Sequence, residues 1–312
     1  PMESFQKLET PSYKAFSEML GSYCMIVDIT LQGVVSKTAM PPISSSKLIE
    51  SSELVADNGR VWSADQIRVV MTDVDWRIVK RAYSIDAVAV NEVRYATAEH
   101  LPNTFTGQVL DFYEKKTTLK GVKGSELDYA LAKEDNNAIY GMIASDPVKT
   151  QFNTNPDGSL TSVPVPLHES VETENKRRNR FMFYPWAAWV TAWSRYILLM
   201  AVMDLEDAGH TVLYCDTDSI YAIDEPGVRD VIDHSNELVQ KRMSLSPNKR
   251  DKAPRKPDGS PTPLGAFEHD PEEDVVELFK ALGAKRYMKQ VDGKRTITVS
   301  GLAKTQAVVD YV

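Results

Sequence analysis

Cysteine is scarce, with Cys24 and Cys215 the only two in 312 residues. No disulfide framework can staple such a chain, and a reducing cytoplasm suits it. Pro1-Met2-Glu3-Ser4 shows no apolar signal-peptide core. The longest apolar run, Pro185 through Val202 to Ala208, carries Arg195 near its middle, and that charge argues against a membrane span. Trp186, Trp189 and Trp193 instead mark a long buried helix packed beneath a sheet, with Pro185 at its start and Gly209 past its end. Positive charge is also short: 36 Lys and Arg face 44 Asp and Glu, a net charge of −8. That balance excludes a general polyanion binder and confines any nucleic-acid surface to local patches. What is present, 42% hydrophobic and 26% charged residues, can bury a sizeable core shared by two or more subdomains.

Two carboxylates stand one residue apart in Tyr214-Cys215-Asp216-Thr217-Asp218-Ser219. His210-Thr211-Val212-Leu213-Tyr214-Cys215 is apolar and β-branched, and Ser219-Ile220-Tyr221-Ala222-Ile223 resumes that character. The stretch reads as a β-hairpin with both aspartates near its tip. Residues two apart on a strand project to one face, which lets Asp216 and Asp218 reach one divalent cation or a close pair. Oxygen ligands with little else suit Mg2+ or Mn2+ rather than zinc. An Asp-x-Asp turn alone is more often a solvated loop tip. Here the apolar flanks bury the hairpin and leave two charges at a core edge, which is costly without a cation or partner.

Upstream, Lys133-Glu134-Asp135-Asn136-Asn137-Ala138-Ile139-Tyr140-Gly141 closes a segment of helical apolar spacing that begins near Ser125. Lys133, Asn137 and Tyr140 fall at i, i+4 and i+7 and share one helix face. A cation, an amide and an aromatic together can grip a triphosphate, position a sugar and stack on a base, while Gly141 admits a duplex backbone. Alone, the segment would more often be an ordinary amphipathic helix with a glycine stop.

With both motifs in this order, the chain resembles the family B DNA polymerases, specifically their protein-primed phage and plasmid subgroup. Motif B of that family reads Lys-x-x-x-Asn-Ser-x-Tyr-Gly and motif C reads Tyr-x-Asp-Thr-Asp-Ser. The chain matches both except at Ala138, which stands in the Ser position and removes one polar contact near the nucleotide, and Cys215 points to the protein-primed subgroup. Thr191-Ala192-Trp193-Ser194-Arg195 resembles the DNA-contact motif Thr-x-x-Gly/Ala-Arg, Leu264-Gly265-Ala266-Phe267-Glu268-His269 the Leu-Gly segment before the thumb-side palm strands, and Lys285-Arg286-Tyr287 the Lys-x-Tyr element that holds the primer.

The resemblance implies template-directed DNA synthesis from dNTPs by two-metal nucleotidyl transfer. Asp216 and Asp218 would anchor two Mg2+ or Mn2+ ions, Asp218 nearer the reacting centre. Lys133 would neutralise the triphosphate, Asn137 and Tyr140 would form the nucleotide pocket, and Lys120 would make a second phosphate contact. Gly141, Thr191, Ser194, Arg195, Thr217, Ser219, Lys285 and Tyr287 would contact primer–template DNA. A terminal (priming) protein is a further expected partner. Basic clusters near these motifs are read as phosphate contacts: Lys115, Lys116, Lys120 and Lys123; Lys176, Arg177, Arg178 and Arg180; Lys285, Arg286, Lys289, Lys294 and Arg295.

The implied fold is α+β, an antiparallel palm sheet backed by long helices, with a helical fingers hairpin and two small β-rich insertions. Residues 1–7 would end the motif A region. Residues 8–105 would form a first insertion that contacts terminal protein and DNA, with strands such as Tyr23–Leu31 and Val88–Tyr95 and a helix near Asp75–Ala82. Residues 106–148 would be the fingers. Residues 149–180 would form a second insertion for strand displacement and processivity, with a turn at Asn155-Pro156-Asp157-Gly158. Residues 181–312 would be the palm, with a mobile Pro-, Lys-, Asp- and Ser-rich loop at 244–263 and a hairpin pairing Arg286–Val291 with Lys294–Val299.

No Asp-x-x-Ser-Leu-Tyr-Pro string, the family's motif A, occurs. Pro1-Met2 is compatible with its end, and no thumb follows Gly301-Leu302-Ala303-Lys304, so the chain reads as a fragment without thumb or exonuclease that polymerises poorly alone. Asp28, after Cys24-Met25-Ile26-Val27, is a rival motif A carboxylate, although Ile29-Thr30-Leu31-Gln32-Gly33 departs from the expected sequel. A reverse transcriptase would place its two aspartates side by side. The alternative function is a non-catalytic DNA- or terminal-protein-binding subunit of a split polymerase.

Overall fold

The computed structural model describes residues 5–145, 150–177, 183–269 and 275–300. Pro1-Met2, Arg178, Arg180, Phe181 and Gly301-Leu302-Ala303-Lys304, singled out above, lie outside the described residues. The chain divides into two compact units: Pro1–His100, Thr191–Ala253 and Thr262–Val312 form one, and Leu101–Val190 with Pro254–Pro261 the other. The α+β expectation holds, with antiparallel sheets in both units.

The first unit is built on a seven-stranded sheet. Its elements are β1 (Gln6–Glu9), α1 (Tyr13–Met19), β2 (Tyr23–Ser36), β3 (Leu48–Ser52), β4 (Val55–Asp57), β5 (Arg60–Thr72), α2 (Asp73–Ala82), β6 (Tyr83–Ser84) and β7 (Ala87–Thr97). Its main path runs β1-β7-β2-β5-β3. Along β2, Met25, Val27, Ile29 and Leu31 are buried, the period of two expected of a strand with one face in the core. The alternation resets at Gly33, so β2 runs on to Ser36, past the predicted end at Leu31. Only glycine fits there: φ is +62°, and a Cβ would lie 2.0 Å from Asp86 Oδ2.

Asp28 faces the other side of β2. Arg68 Nε and Nη2 donate to its two oxygens at 2.9 and 2.8 Å, and Asn91 Nδ2 adds a bond of 2.9 Å. Asn91 is the extra residue of a bulge, since Asp28 pairs with Glu92 and Ile29 with Val90. The Arg68 fork, with Asn91 in support, holds the Asp28 carboxyl below its usual range against the opposing effect of burial. These bonds give the rival motif A aspartate a structural post. A carboxylate with a depressed folded pKa stabilises fully above its unfolded value of about 3.9 and loses that contribution as pH falls through the folded value. Asp28→Asn should therefore flatten the lower part of an acid-unfolding curve followed by circular dichroism. An unchanged curve would show that the pair adds nothing.

Helix α2 follows β5 directly. Thr72 caps it, its hydroxyl accepting from Asp75 N at 3.1 Å, with Asp73 and Asp75 in the first turn and Lys80 and Arg81 in the last. That charge order complements the helix dipole. Trp76, Ile78, Val79 and Ala82 face the sheet. The long helix α6 (Tyr184–Asp207) carries Pro185 at its second position and ends as expected. Gly209 (φ +87°) donates to Glu206 O and His210 N to Leu205 O, each at 2.9 Å, a Schellman closure. Within the first unit α6 serves two cores: Tyr196, Leu199, Met200 and Met203 pack on the large sheet, and Val202 and Leu205 on the hairpin of β10 (Val212–Asp216) and β11 (Ser219–Ala222). Arg81 on α2 clamps α6 through Asp204 and Asp207 at 2.7 and 2.6 Å.

Helix α7 (Val228–Ser244) and the sheet of β12 (Leu278–Gly283), β13 (Arg286–Val291) and β14 (Lys294–Val299) complete this unit. Its last hairpin matches the sequence reading, because Asp292 and Gly293 both take the positive φ of a two-residue turn. Of the 244–263 loop, the part in this unit is irregular, with Leu264 N reaching Lys252 O at 2.7 Å, and in the second unit Lys256 N reaches Ser260 O at 2.9 Å.

The second unit contains α3 (Asn103–Leu119), α4 (Glu126–Ile143), the hairpin β8 (Thr150–Thr154) and β9 (Leu160–Pro164), and α5 (Leu167–Lys176). The α3–α4 pair is the predicted helical hairpin, turned through Gly121 and Gly124, both at positive φ. The β8–β9 turn is also as read, with Gly158 N bonded to Asn155 O.

Candidate functional site

At the β10–β11 tip, Asp216 pairs across the hairpin with Ser219, and Thr217 and Asp218 form the two-residue turn. Thr217 has φ +54°, unusual for a β-branched residue and costing on the order of 1–3 kcal/mol. The turn is pinned by bonds that all converge on Asp216: Asp218 N to Asp216 O at 2.5 Å, Thr217 Oγ1 to Asp216 Oδ1 at 2.9 Å, and Ser219 Oγ to Asp216 O at 3.1 Å. Asp216 is half-buried and Asp218 exposed. The expectation that two positions of one strand present both carboxylates therefore needs correction. The strand ends at Asp216, and the left-handed Thr217 breaks the alternation before Asp218.

Lys285 and Tyr287, far along the chain, stand beside this tip. Lys285 N donates to the Tyr214 hydroxyl at 2.8 Å, and Lys285 Nζ lies 3.7 Å from Asp216 Oδ1. Tyr287 belongs to an aromatic cluster with Tyr214 (5.2 Å between centroids), Phe279 (5.4 Å) and Tyr221, which itself stacks on Phe279 at 4.7 Å. Burial first, opposed by the Lys285 amide, pushes the Tyr214 phenol up. Sequence reasoning singled out neither Tyr221 nor Phe279. Tyr221 was legible, because a two-residue turn at 217–218 puts it opposite Tyr214.

The donors gathered here are two carboxylates, and among the described residues no group of three or more His, Cys, Asp or Glu could hold a metal ion. An all-oxygen pair fits Mg2+ or Mn2+, whose other positions are commonly filled by phosphate and water. The Lys285 ammonium already stands 3.7 Å from Asp216 Oδ1 and offsets part of its charge.

Elsewhere in the first unit, Ser194 and Arg195 are exposed on α6 and Thr191 is half-buried. Arg195 Nε and Nη2 form a fork on Asp75 at 2.8 and 2.9 Å. A phosphate approaching Arg195 must compete with that carboxylate.

In the second unit, Lys133, Asn137 and Tyr140 are exposed on α4, while Ala132 and Ile143 are buried. Gly141 lies inside the helix, which runs on to Ile143, so the glycine stop is not observed. A helical glycine costs about 1 kcal/mol relative to alanine without ending the helix, and nothing lies within 4 Å of where its Cβ would be. That open flank is what a close backbone approach requires. Lys120 is exposed at the C-cap of α3.

No protein-family model matches the chain, and no curated protein matches it. Solved structures do. Phi29 DNA polymerase complexed with primer-template DNA superposes with a TM-score of 0.63 at 20% identity, over 99% of this chain and 48% of that one. Phi29 DNA polymerase complexed with primer-template DNA and incoming nucleotides gives 0.59 at 18% identity, over 99% and 52%. The same polymerase with single-stranded DNA gives 0.57 at 20%, over 93% and 45%. The chain thus spans about half the length of these structures, and at such identity the likeness is one of fold: the chain has a DNA-polymerase-like fold.

Proposed function

We propose that the chain forms the fingers and palm of a template-directed DNA polymerase of the protein-primed kind, with residues 8–105 and 149–180 as its two insertions. One observation carries the reading. On a polymerase-like fold, a strained turn presents Asp216 and Asp218, with Lys285 beside Asp216 and Tyr287 packed on Tyr214 of the same hairpin. Bound Mg2+ or Mn2+ would supply activation of the primer 3′-hydroxyl and neutralisation of the triphosphate. Asp216 and Asp218 hold the cations, and the Thr217 and Ser219 hydroxyls keep Asp216 oriented. Lys133 meets the triphosphate, Lys120 adds a phosphate contact, and Asn137 and Tyr140 flank sugar and base, with Gly141 leaving room for the duplex. Thr191, Ser194 and Arg195 contact DNA, and Lys285 and Tyr287 the primer strand. Base pairing supplies sequence choice, so the protein reads phosphates and duplex shape. A terminal protein is the proposed priming partner. Among the described residues no helix is long and apolar enough to cross a membrane.

The test is template-directed extension of a primer with dNTPs and Mg2+ by a protein carrying these residues. A protein that binds primer–template yet never extends it would refute catalysis and support a DNA-binding subunit. Lys133→Ala should raise the nucleotide KM by about ten- to a hundredfold, since charge-assisted hydrogen bonds contribute about 1.5–3 kcal/mol. Unchanged KM and turnover with weakened DNA binding would move Lys133 to the DNA contacts.

A further inference from the structure

Two helices of the first unit bring arginines to one aromatic patch on α6. Arg242, in the last turn of α7, lies 4.7 Å from the Trp193 ring and 4.6 Å from the Tyr196 ring. Arg77, from α2, lies 5.8 Å from the same Trp193. Arg77 is already matched, with Asp73 at 3.8 Å. Arg242 is exposed and has no carboxylate partner among the described residues. The cation–π contacts hold the guanidinium without consuming its N–H donors, which suit phosphate oxygens.

We infer that Arg242, seated on Trp193 and Tyr196 beside Arg77, is a binding site for the backbone phosphates of a nucleic-acid strand. The inference rests on the polymerase reading and extends its DNA surface to a helix on which the sequence shows no contact motif. A strand engages Arg242 first, because no carboxylate need be displaced there. A neighbouring phosphate on the same strand then competes with Asp73 for Arg77.

The test measures primer–template affinity by fluorescence anisotropy at stepped salt for the wild-type protein, Arg242→Gln and Arg242→Lys. Neutralising one phosphate contact should lower affinity about tenfold near physiological salt and reduce the slope of log affinity against log salt by about 0.9. Arg242→Lys should keep the slope, since charge is retained, while losing affinity with the guanidinium. A merely structural role for Arg242 would move thermal stability and leave the slope alone. Equal affinity and slope in Arg242→Gln would overturn the inference while leaving the polymerase reading intact. A wild-type protein that binds no primer–template would overturn the polymerase reading itself. Tight binding of a polyglutamate peptide, lost in Arg242→Gln while DNA binding is unchanged, would assign the site to an acidic protein and likewise overturn it.

Discussion

Asp218→Asn is expected to lower nucleotide incorporation by about three powers of ten in a polymerase containing this chain, because a bound metal supplies several kcal/mol of transition-state stabilisation at about 1.4 kcal/mol per tenfold in rate. The fold and DNA affinity should stay as they are. Asp218 is exposed in a two-residue turn and its side chain anchors nothing else in that turn: the pinning bonds run through its backbone N–H, the Thr217 hydroxyl and the Ser219 hydroxyl. Asparagine keeps the shape and tolerates turns, so the loss isolates charge. Asp216→Asn is a less clean probe, since its carboxylate also accepts from Thr217 and faces Lys285. The measurement is single-turnover incorporation with Mg2+, alongside Mn2+ binding with nucleotide present, which should need both carboxylates. An Asp218→Asn enzyme that kept most of its turnover would reduce the motif to a turn former.

Features governed by neighbours in sequence were legible. Asp292-Gly293 between two strand-forming runs fixes the β13–β14 hairpin, and Pro185 and Gly209 bracket α6. The Asp216–Asp218 tip was located for the same reason, although its geometry was not: a sequence shows residues two apart, and only the backbone reveals that Thr217 is left-handed. Features set by distant partners were hidden. Gly33 interrupts the alternation of β2, and Ser63, Asp65 and Gln66 interrupt that of β5, yet the two strands pair along most of their length. Asp28 could be weighed as a metal ligand only because nothing local reveals Arg68 and Asn91. Arg242 and Trp193, and likewise Asp75 and Arg195, meet through tertiary packing alone, so no spacing rule could have found them.

The largest stability effect is expected at Trp76, which is 1% exposed and packs edge-on against Tyr13 (6.1 Å) and near Phe16 (6.2 Å). Trp76→Ala should destabilise the first unit by about 3–5 kcal/mol, the usual cost of emptying a large aromatic site. Trp76→Phe should cost much less than its lost volume implies. The indole Nε1 is buried and finds no hydrogen-bond partner, so removing it also removes a desolvation penalty of about 1–3 kcal/mol. Urea unfolding followed by circular dichroism reads both: the midpoint should fall sharply for Ala and slightly for Phe, with similar slopes. A Phe variant as damaged as Ala would show that the indole N–H is satisfied in solution. The effect should reach the proposed DNA surface, because Trp76 seats the helix whose neighbouring positions hold Asp75 against Arg195 and Arg77 against Trp193. Below its own midpoint, the Ala variant should bind primer–template more weakly and with an altered salt slope, whereas Phe should match the wild type. A Trp76→Ala protein with native DNA affinity and slope would show that the arginines are positioned from α6 and α7 alone.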